Sequence, residues 1–72
     1  MAKRKMLLTF PEELLREPIL YNLSNQYRVM TNIHRAEISN ERGWVELEMD
    51  GEEEDIEQGL AWVISKGVRV DM

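Results

Sequence analysis

Large apolar residues recur at every second position between Met6 and Phe10. This period predicts a β-strand, because successive side chains of a strand point to opposite faces. Pro11 ends the strand, and residues 12–17 form a polar connection with room for one helical turn. Residues 1–5 contain a short basic run, and we expect them to form a frayed tail.

A helix is predicted after this connection. Pro18 suits the first position of a helix, because its missing N–H would have no partner there in any case. Ile19, Leu20, Leu23 and Tyr27 then fall on one helical face. This face is expected to lie on the core.

The segment Val29–Asn40 predicts a second strand whose pattern changes phase. Val29 and Ile33 share one parity, whereas Ile38 has the other. A shift of face by one residue is what a β-bulge produces. The change falls at His34-Arg35, so we expect the bulge there.

A hairpin turn is predicted at Glu41–Gly43, with Gly43 supplying a positive φ angle. The segment Trp44–Asp50 then alternates as a third strand. One of its faces is polar apart from Trp44, and the other carries the apolar residues Val45, Leu47 and Met49.

Gly51 ends the third strand, and the carboxylates of Glu52–Asp55 suit the first turn of a second helix. Gly67 is expected to end that helix as a C-cap, and the segment Val68–Met72 alternates as a final strand. The apolar stripe of the helix consists of Ile56, Leu60, Val63 and Ile64.

The predicted element order is β-α-β-β-α-β. This order is typical of an α+β fold of the ferredoxin-like type, in which both helices cover one face of an antiparallel sheet. The strands at residues 29–40 and 68–72 would lie at the edges of that sheet. Seventy-two residues form a single domain, residues 1–72.

Composition excludes several classes of function. The chain has no cysteine, so disulfides, thiolate metal sites and a cysteine nucleophile are excluded. A net charge of −5 argues against a nucleic-acid partner. No apolar run is long enough to insert into a membrane, and we expect a cytoplasmic protein without a cofactor.

The order and spacing of short motifs resemble those of the NIL domain, from about Met6 to Met72. The matching positions are Pro18-Ile19-Leu20, Asn32-Ile33, Ala36, Ile38, Gly43, Val45, Leu47, Gly51, Leu60, Gly67-Val68 and Val70.

This resemblance implies a small regulatory domain. NIL domains are best known as the C-terminal module of methionine-importer ATPases, where they form ferredoxin-like dimers and bind methionine. They also occur joined to iron–sulfur ferredoxin modules and as stand-alone proteins, and this chain resembles the stand-alone form. The resemblance places Asn32 beside the ligand. His34 stands where the family has leucine, and an imidazole favours a more polar or anionic group than a thioether does.

Two functions follow as hypotheses. In the first, an amino acid related to methionine binds where two copies meet, near Met30, Asn32, Ile33 and His34, with Met49 as further apolar lining. In the second, the open sheet face or the edge strand docks on another protein, which the fused relatives place near sulfur metabolism and iron–sulfur proteins. The sequence offers no nucleophile–base pair, so we expect no enzyme.

Several of these residues also have a structural interpretation. Asn32 could bond a backbone group at the bulge instead of a ligand, and His34 could simply face solvent or a dimer mate. The carboxylates of Glu52–Asp55 could hold a metal ion, but a solvated helix N-terminus explains them equally well, and no metal site is predicted.

The unpaired edge near Val29 and Thr31 invites pairing with another chain, which makes a homodimer or higher oligomer an expectation. Trp44 could serve as a wall of a pocket, as an anchor in a dimer or as a shield over the open sheet face. We expect it to lie in the interface, because tryptophan is a common interface anchor.

Overall fold

The computed structural model describes residues 1–39 and 41–72. Apart from one 3-10 turn, the order of its helices and strands confirms the predicted β-α-β-β-α-β arrangement. The elements are β1 (Ala2–Pro11), a 3-10 turn (Glu12–Leu14), α1 (Ile19–Gln26), β2 (Val29–Ile38), β3 (Arg42–Gly51), α2 (Glu53–Lys66) and β4 (Arg69–Asp71).

The strands form one four-stranded antiparallel sheet in the order β2-β3-β1-β4. The edge strands are β2 and β4, as the sequence predicts for this topology. The fold is therefore ferredoxin-like. We call the side of the sheet that carries Leu7, Thr9, Trp44, Glu46 and Glu48 the helix-free face.

The core lies between the other side of the sheet and the two helices. Six of its side chains have no exposed surface, and burial of each one stabilises the fold by about 1.5–3 kcal/mol. They come from β1, α1, β3 and α2, and they are Leu8, Leu23, Leu47, Met49, Ile56 and Val63.

Strand β1 begins earlier than predicted. The sequence suggests a frayed tail for residues 1–5, but Ala2 pairs with Gly51 and Arg4 pairs with Met49 in β3. The Arg4 guanidinium reaches Glu53 at 3.3 Å and Glu57 at 3.5 Å, both on α2. The basic run is therefore part of a paired strand, and its middle residue connects that strand to a helix.

Gly43 does not have the predicted role. It lies within β3, and the positive φ angle recorded for the described glycines belongs to Gly67, at 106°, where α2 ends as predicted. Gly43 lies instead where the Leu15 side chain packs closely against the strand. A Cβ atom at this position would lie only 2.8 Å from Cδ2 of Leu15.

Element ends differ from the predictions by a few residues. β2 ends at Ile38, and Asn40, which was placed in the same strand, lies outside the described residues. β4 spans only Arg69–Asp71. Ile64, which was placed in the apolar stripe of α2, is 56% exposed, and Gly59 lies on the buried side of that helix instead.

Within residues 1–39 and 41–72, neither helix is long and apolar enough to cross a lipid bilayer.

Candidate functional site

The candidate site is built on an irregularity in β2. Residues 29–33 pair with β3 in one register, and residues 35–38 pair in another. His34 is the additional residue between the two registers. The predicted bulge at His34-Arg35 is thereby confirmed.

The bulge determines which side chains share a face. Asn32 lies opposite Glu48 and Met30 lies opposite Asp50, so both residues belong to the helix-free face. Ile33 lies opposite the core residue Leu47 and therefore points to the other side. Of the four predicted ligand residues, Met30 and Asn32 are thus separated from Ile33 by the sheet itself, and His34 lies in the bulge between the two registers.

Asn32 is exposed, and the half-buried Glu48 lies beside it across the strand pair. The side-chain hydrogen bonds described for residues 1–39 and 41–72 do not include one from the Asn32 amide. The interpretation that this amide bonds a backbone group at the bulge therefore has no support here. The amide keeps its donors and its acceptor available for another molecule.

Sequence reasoning did not single out two charged neighbours of Asn32. Glu48 is one, and Arg35 is the other, because the bulge turns Arg35 onto the helix-free face. There its Nε atom lies 3.3 Å from Oε1 of Glu46. The phase change along β2 already contained the signal for Arg35, whereas the position of Glu48 required the register.

The apolar residues predicted around the site have different environments. Met30 is 65% exposed and Ile33 is 56% exposed, so both can contact another molecule. Met49 has no exposed surface and lies in the core, on the opposite side from Asn32. The prediction that Met49 lines the site is therefore wrong for this protomer.

The residues predicted for an interface also differ in what they present. Val29 is only 4% exposed, so it offers its backbone rather than its side chain to a partner. Thr31 is half-buried, and His34 is exposed at the edge. Trp44 is half-buried on the helix-free face, between Thr9 of β1 and Glu37 of β2.

Asn32 is not among the lining residues of the four best-formed cavities of the described residues. An apolar cleft of about 220 Å³ lies farther along, where the start of α1 faces the end of β2, and Leu15, Leu20 and Ile38 are among its walls. One protomer therefore presents Asn32 on an open surface and not in a pocket.

The acidic run at the start of α2 has a structural partner, because the Glu53 carboxylate binds the Arg4 guanidinium. Among residues 1–39 and 41–72, no three histidine, aspartate or glutamate side chains come together as a metal site. The run Glu52–Asp55 forms the N-cap and first turn of α2, where carboxylates interact favourably with the helix dipole.

Comparison with known proteins gives one positive result. The family model of the NIL domain matches residues 5–72, which is nearly the whole chain. No curated protein matches it. The chain therefore belongs to the NIL domain family, a family of small regulatory domains.

Proposed function

We propose that this domain binds an amino acid, methionine or a related compound, at a site built around Asn32 where two copies of the chain meet along β2. The observation that carries the proposal is the exposed Asn32 amide, which makes no side-chain hydrogen bond among the described residues and lies directly opposite Glu48, on the same face as Arg35. Membership of the NIL family supports the same choice.

The three side chains suit the head group that all amino acids share. The Nε atom of Arg35 is paired with Glu46, and its two terminal nitrogens can donate parallel hydrogen bonds to a ligand carboxylate. Glu48 can accept from an ammonium group, and Asn32 can donate to one group and accept from the other. Asn32 and Glu48 are cross-strand neighbours, about 5 Å apart. Arg35 follows beyond the bulge on the same face, and its long side chain extends the group of donors and acceptors along β2.

A second copy would complete the site. Small-molecule sites are normally concave and largely apolar, and in one protomer Asn32 lies on an open surface. Strand β2 is an edge strand of ten residues, which can pair with another strand. Its exposed Ile33 and Ile38 side chains, 56% and 69% accessible, would lose water contact in such a pairing.

His34 would influence which amino acid binds. Its imidazole is exposed at the bulge, next to Asn32 along the strand. An imidazole can donate to a polar or anionic side chain, whereas the leucine of the family favours a thioether. A side chain with a polar end is therefore a second candidate beside methionine.

The proposed role is regulatory. A ligand that binds between two copies stabilises the arrangement in which its site is complete, by its difference in affinity for the two arrangements. A partner protein that recognises only one arrangement would then respond to the amino-acid concentration.

Thermal unfolding with and without L-methionine, and with a panel of amino acids and sulfur metabolites, tests the proposal. A ligand at about a hundred times its Kd adds about 2.7 kcal/mol of stability. For a domain of this size the Tm rises by about ten degrees or more. Asn32→Ala should abolish the shift, whereas Asn25→Ala, the same change on an exposed residue of α1, should retain it.

The absence of a shift with every member of the panel would contradict amino-acid binding. Docking of another protein through the edge of β2 or the helix-free face would then be the function to test.

A further inference from the structure

The helix-free face has a second feature, an open hollow of about 340 Å³ at the end of the sheet away from Met30. Its walls combine an indole, two guanidinium groups and two smaller side chains from β1. They are Leu7, Thr9, Arg35, Arg42 and Trp44. None of the functions proposed for the Asn32 site uses Arg42 or Trp44.

The strand register explains how three strands contribute to this hollow. Trp44 of β3 lies opposite Thr9 of β1 and Glu37 of β2. Arg42 lies two residues before Trp44 in β3 and therefore shares its face. The bulge adds Arg35, which would point to the other side of the sheet in a regular strand.

Arg42 differs from the other arginines of this face in its electrostatic environment. Arg35 lies 3.3 Å from Glu46, and Arg69 lies 3.3 Å from Asp71. Arg42 has no carboxylate within 4 Å among the residues that the structure describes, although it is exposed beside an indole. Within the part of the chain that the structure describes, its guanidinium is a planar cation without a carboxylate partner, and such a group binds phosphate or carboxylate oxygens readily.

Trp44 supplies a surface of a different kind. It is half-buried in a polar face and lines the hollow between Thr9 and the two arginines. A flat aromatic ligand can stack on an indole, and this contact depends little on the identity of the ring. Glu37, opposite Trp44 and exposed, can accept a hydrogen bond from an amino group on such a ring.

We propose that this hollow binds a single nucleotide, with its base against Trp44, its phosphate on Arg42 and a base amino group toward Glu37. Glu37 lies directly opposite Trp44, and Arg42 lies two residues before Trp44 in β3, so an acceptor, a stacking surface and a cation are close together.

The charge of the chain favours one nucleotide over a long strand of nucleic acid. Affinity for a polyanion needs several phosphate contacts, and the net charge of the chain is −5. Glu37 and Glu48 lie on the same face without an ion pair among the described residues, and they would repel further phosphates. A ligand with a single phosphate, bound to Arg42, avoids the repulsion that further phosphates would meet.

Tryptophan fluorescence of the full chain tests the proposal, with Trp62→Phe as background so that Trp44 is the remaining tryptophan. The ligands are AMP, adenosine, inorganic phosphate and a short oligoadenylate. We expect saturable quenching by AMP. Adenosine, which lacks the phosphate, should bind more weakly than AMP by about tenfold or more, and Arg42→Gln should weaken the binding of AMP by about tenfold or more. Arg28→Gln, which removes another exposed arginine, should bind AMP normally.

The NMR signal of the Trp44 indole N–H in the unsubstituted protein gives the same test if Trp62→Phe is unstable. Quenching by phosphate alone to the same extent, no saturable response to AMP, or unchanged binding by Arg42→Gln would each overturn the proposal. Tighter binding of the oligoadenylate than of AMP would also overturn it, because the proposed ligand is a single nucleotide and not a strand. The thermal shift with amino acids is a separate measurement, so failure here leaves the Asn32 site untouched.

Discussion

Asn32 of β2 lies directly opposite Glu48 of β3, and both side chains belong to the face of the sheet without helices. Opposed side chains of this kind are about 5 Å apart. The pair therefore places a neutral amide, which donates and accepts, beside a carboxylate, which only accepts. Such a combination suits an ammonium group, and it leads to the first prediction.

Glu48→Gln is expected to weaken the binding of L-methionine, or of the amino acid that binds best, by about tenfold or more, because a charged hydrogen bond becomes a neutral one. Isothermal titration calorimetry measures this change. Stability should change by no more than about 0.5 kcal/mol, since Glu48 is not in the core. Glu54→Gln on α2 is the matched control, and equal affinities of the two variants would contradict the role of Glu48.

If the proposed dimer forms along β2, Ile33→Lys is expected to shift it toward monomer, because it places a charge on the exposed edge proposed to meet a second copy. Sedimentation equilibrium over a range of concentrations measures the effect. Ile64→Lys is a closely matched control, since Ile64 is also 56% exposed but lies on α2. If both variants sediment like the unsubstituted chain, the proposed edge is not the interface.

The bulge shows what the sequence alone can predict. The change of parity between Ile33 and Ile38 placed it correctly, because side-chain alternation is a local property of a strand. The neighbours of Asn32 could not be predicted in the same way. They depend on the register between β2 and β3, and the apolar pattern of the two strands is compatible with more than one pairing.

Two other differences have a tertiary origin. Gly43 resembles a turn glycine in the sequence, but it lies within β3, where the side chain of Leu15 from the connection before α1 packs closely against it. The basic residues near the N-terminus resemble a tail, although the carboxylates of α2 give Arg4 a partner. Neither contact is visible until the helices and the sheet are placed together.

Gly51→Ala is expected to destabilise the domain more than Gly43→Ala does. A Cβ atom at Gly51 would lie 2.7 Å from the backbone oxygen of Arg28, which cannot move without shifting the start of β2. At Gly43 the nearest atom is the end of the Leu15 side chain, at 2.8 Å, which can rotate away. We expect a loss of about 1–3 kcal/mol at Gly51 and a smaller loss at Gly43.

Urea unfolding of the two variants measures these losses. Their relative order is the informative result, since both replacements add the same methyl group to a glycine of β3. Equal losses would show that the backbone near Arg28 adapts as easily as a leucine side chain.

Arg4→Met is expected to lower the free energy of unfolding by about 0.2–1 kcal/mol for each of the ion pairs that it removes. The effect is small because the partners Glu53 and Glu57 are largely exposed, with 74% and 66% of their side-chain surface accessible. Methionine retains most of the apolar stem, so the loss reports the charge rather than the packing.

Salt separates this electrostatic effect from other causes. The Debye length falls to about 3 Å at about 1 M salt, so the difference between Arg4→Met and the unsubstituted chain should shrink in urea titrations at high salt. Lys3→Met is the control, because Lys3 is also a cation of β1 but has no carboxylate within 4 Å among the described residues. A loss that is as large at high salt as at low salt would mean that Arg4 supports the start of β1 through packing, and that its two ion pairs contribute nothing measurable.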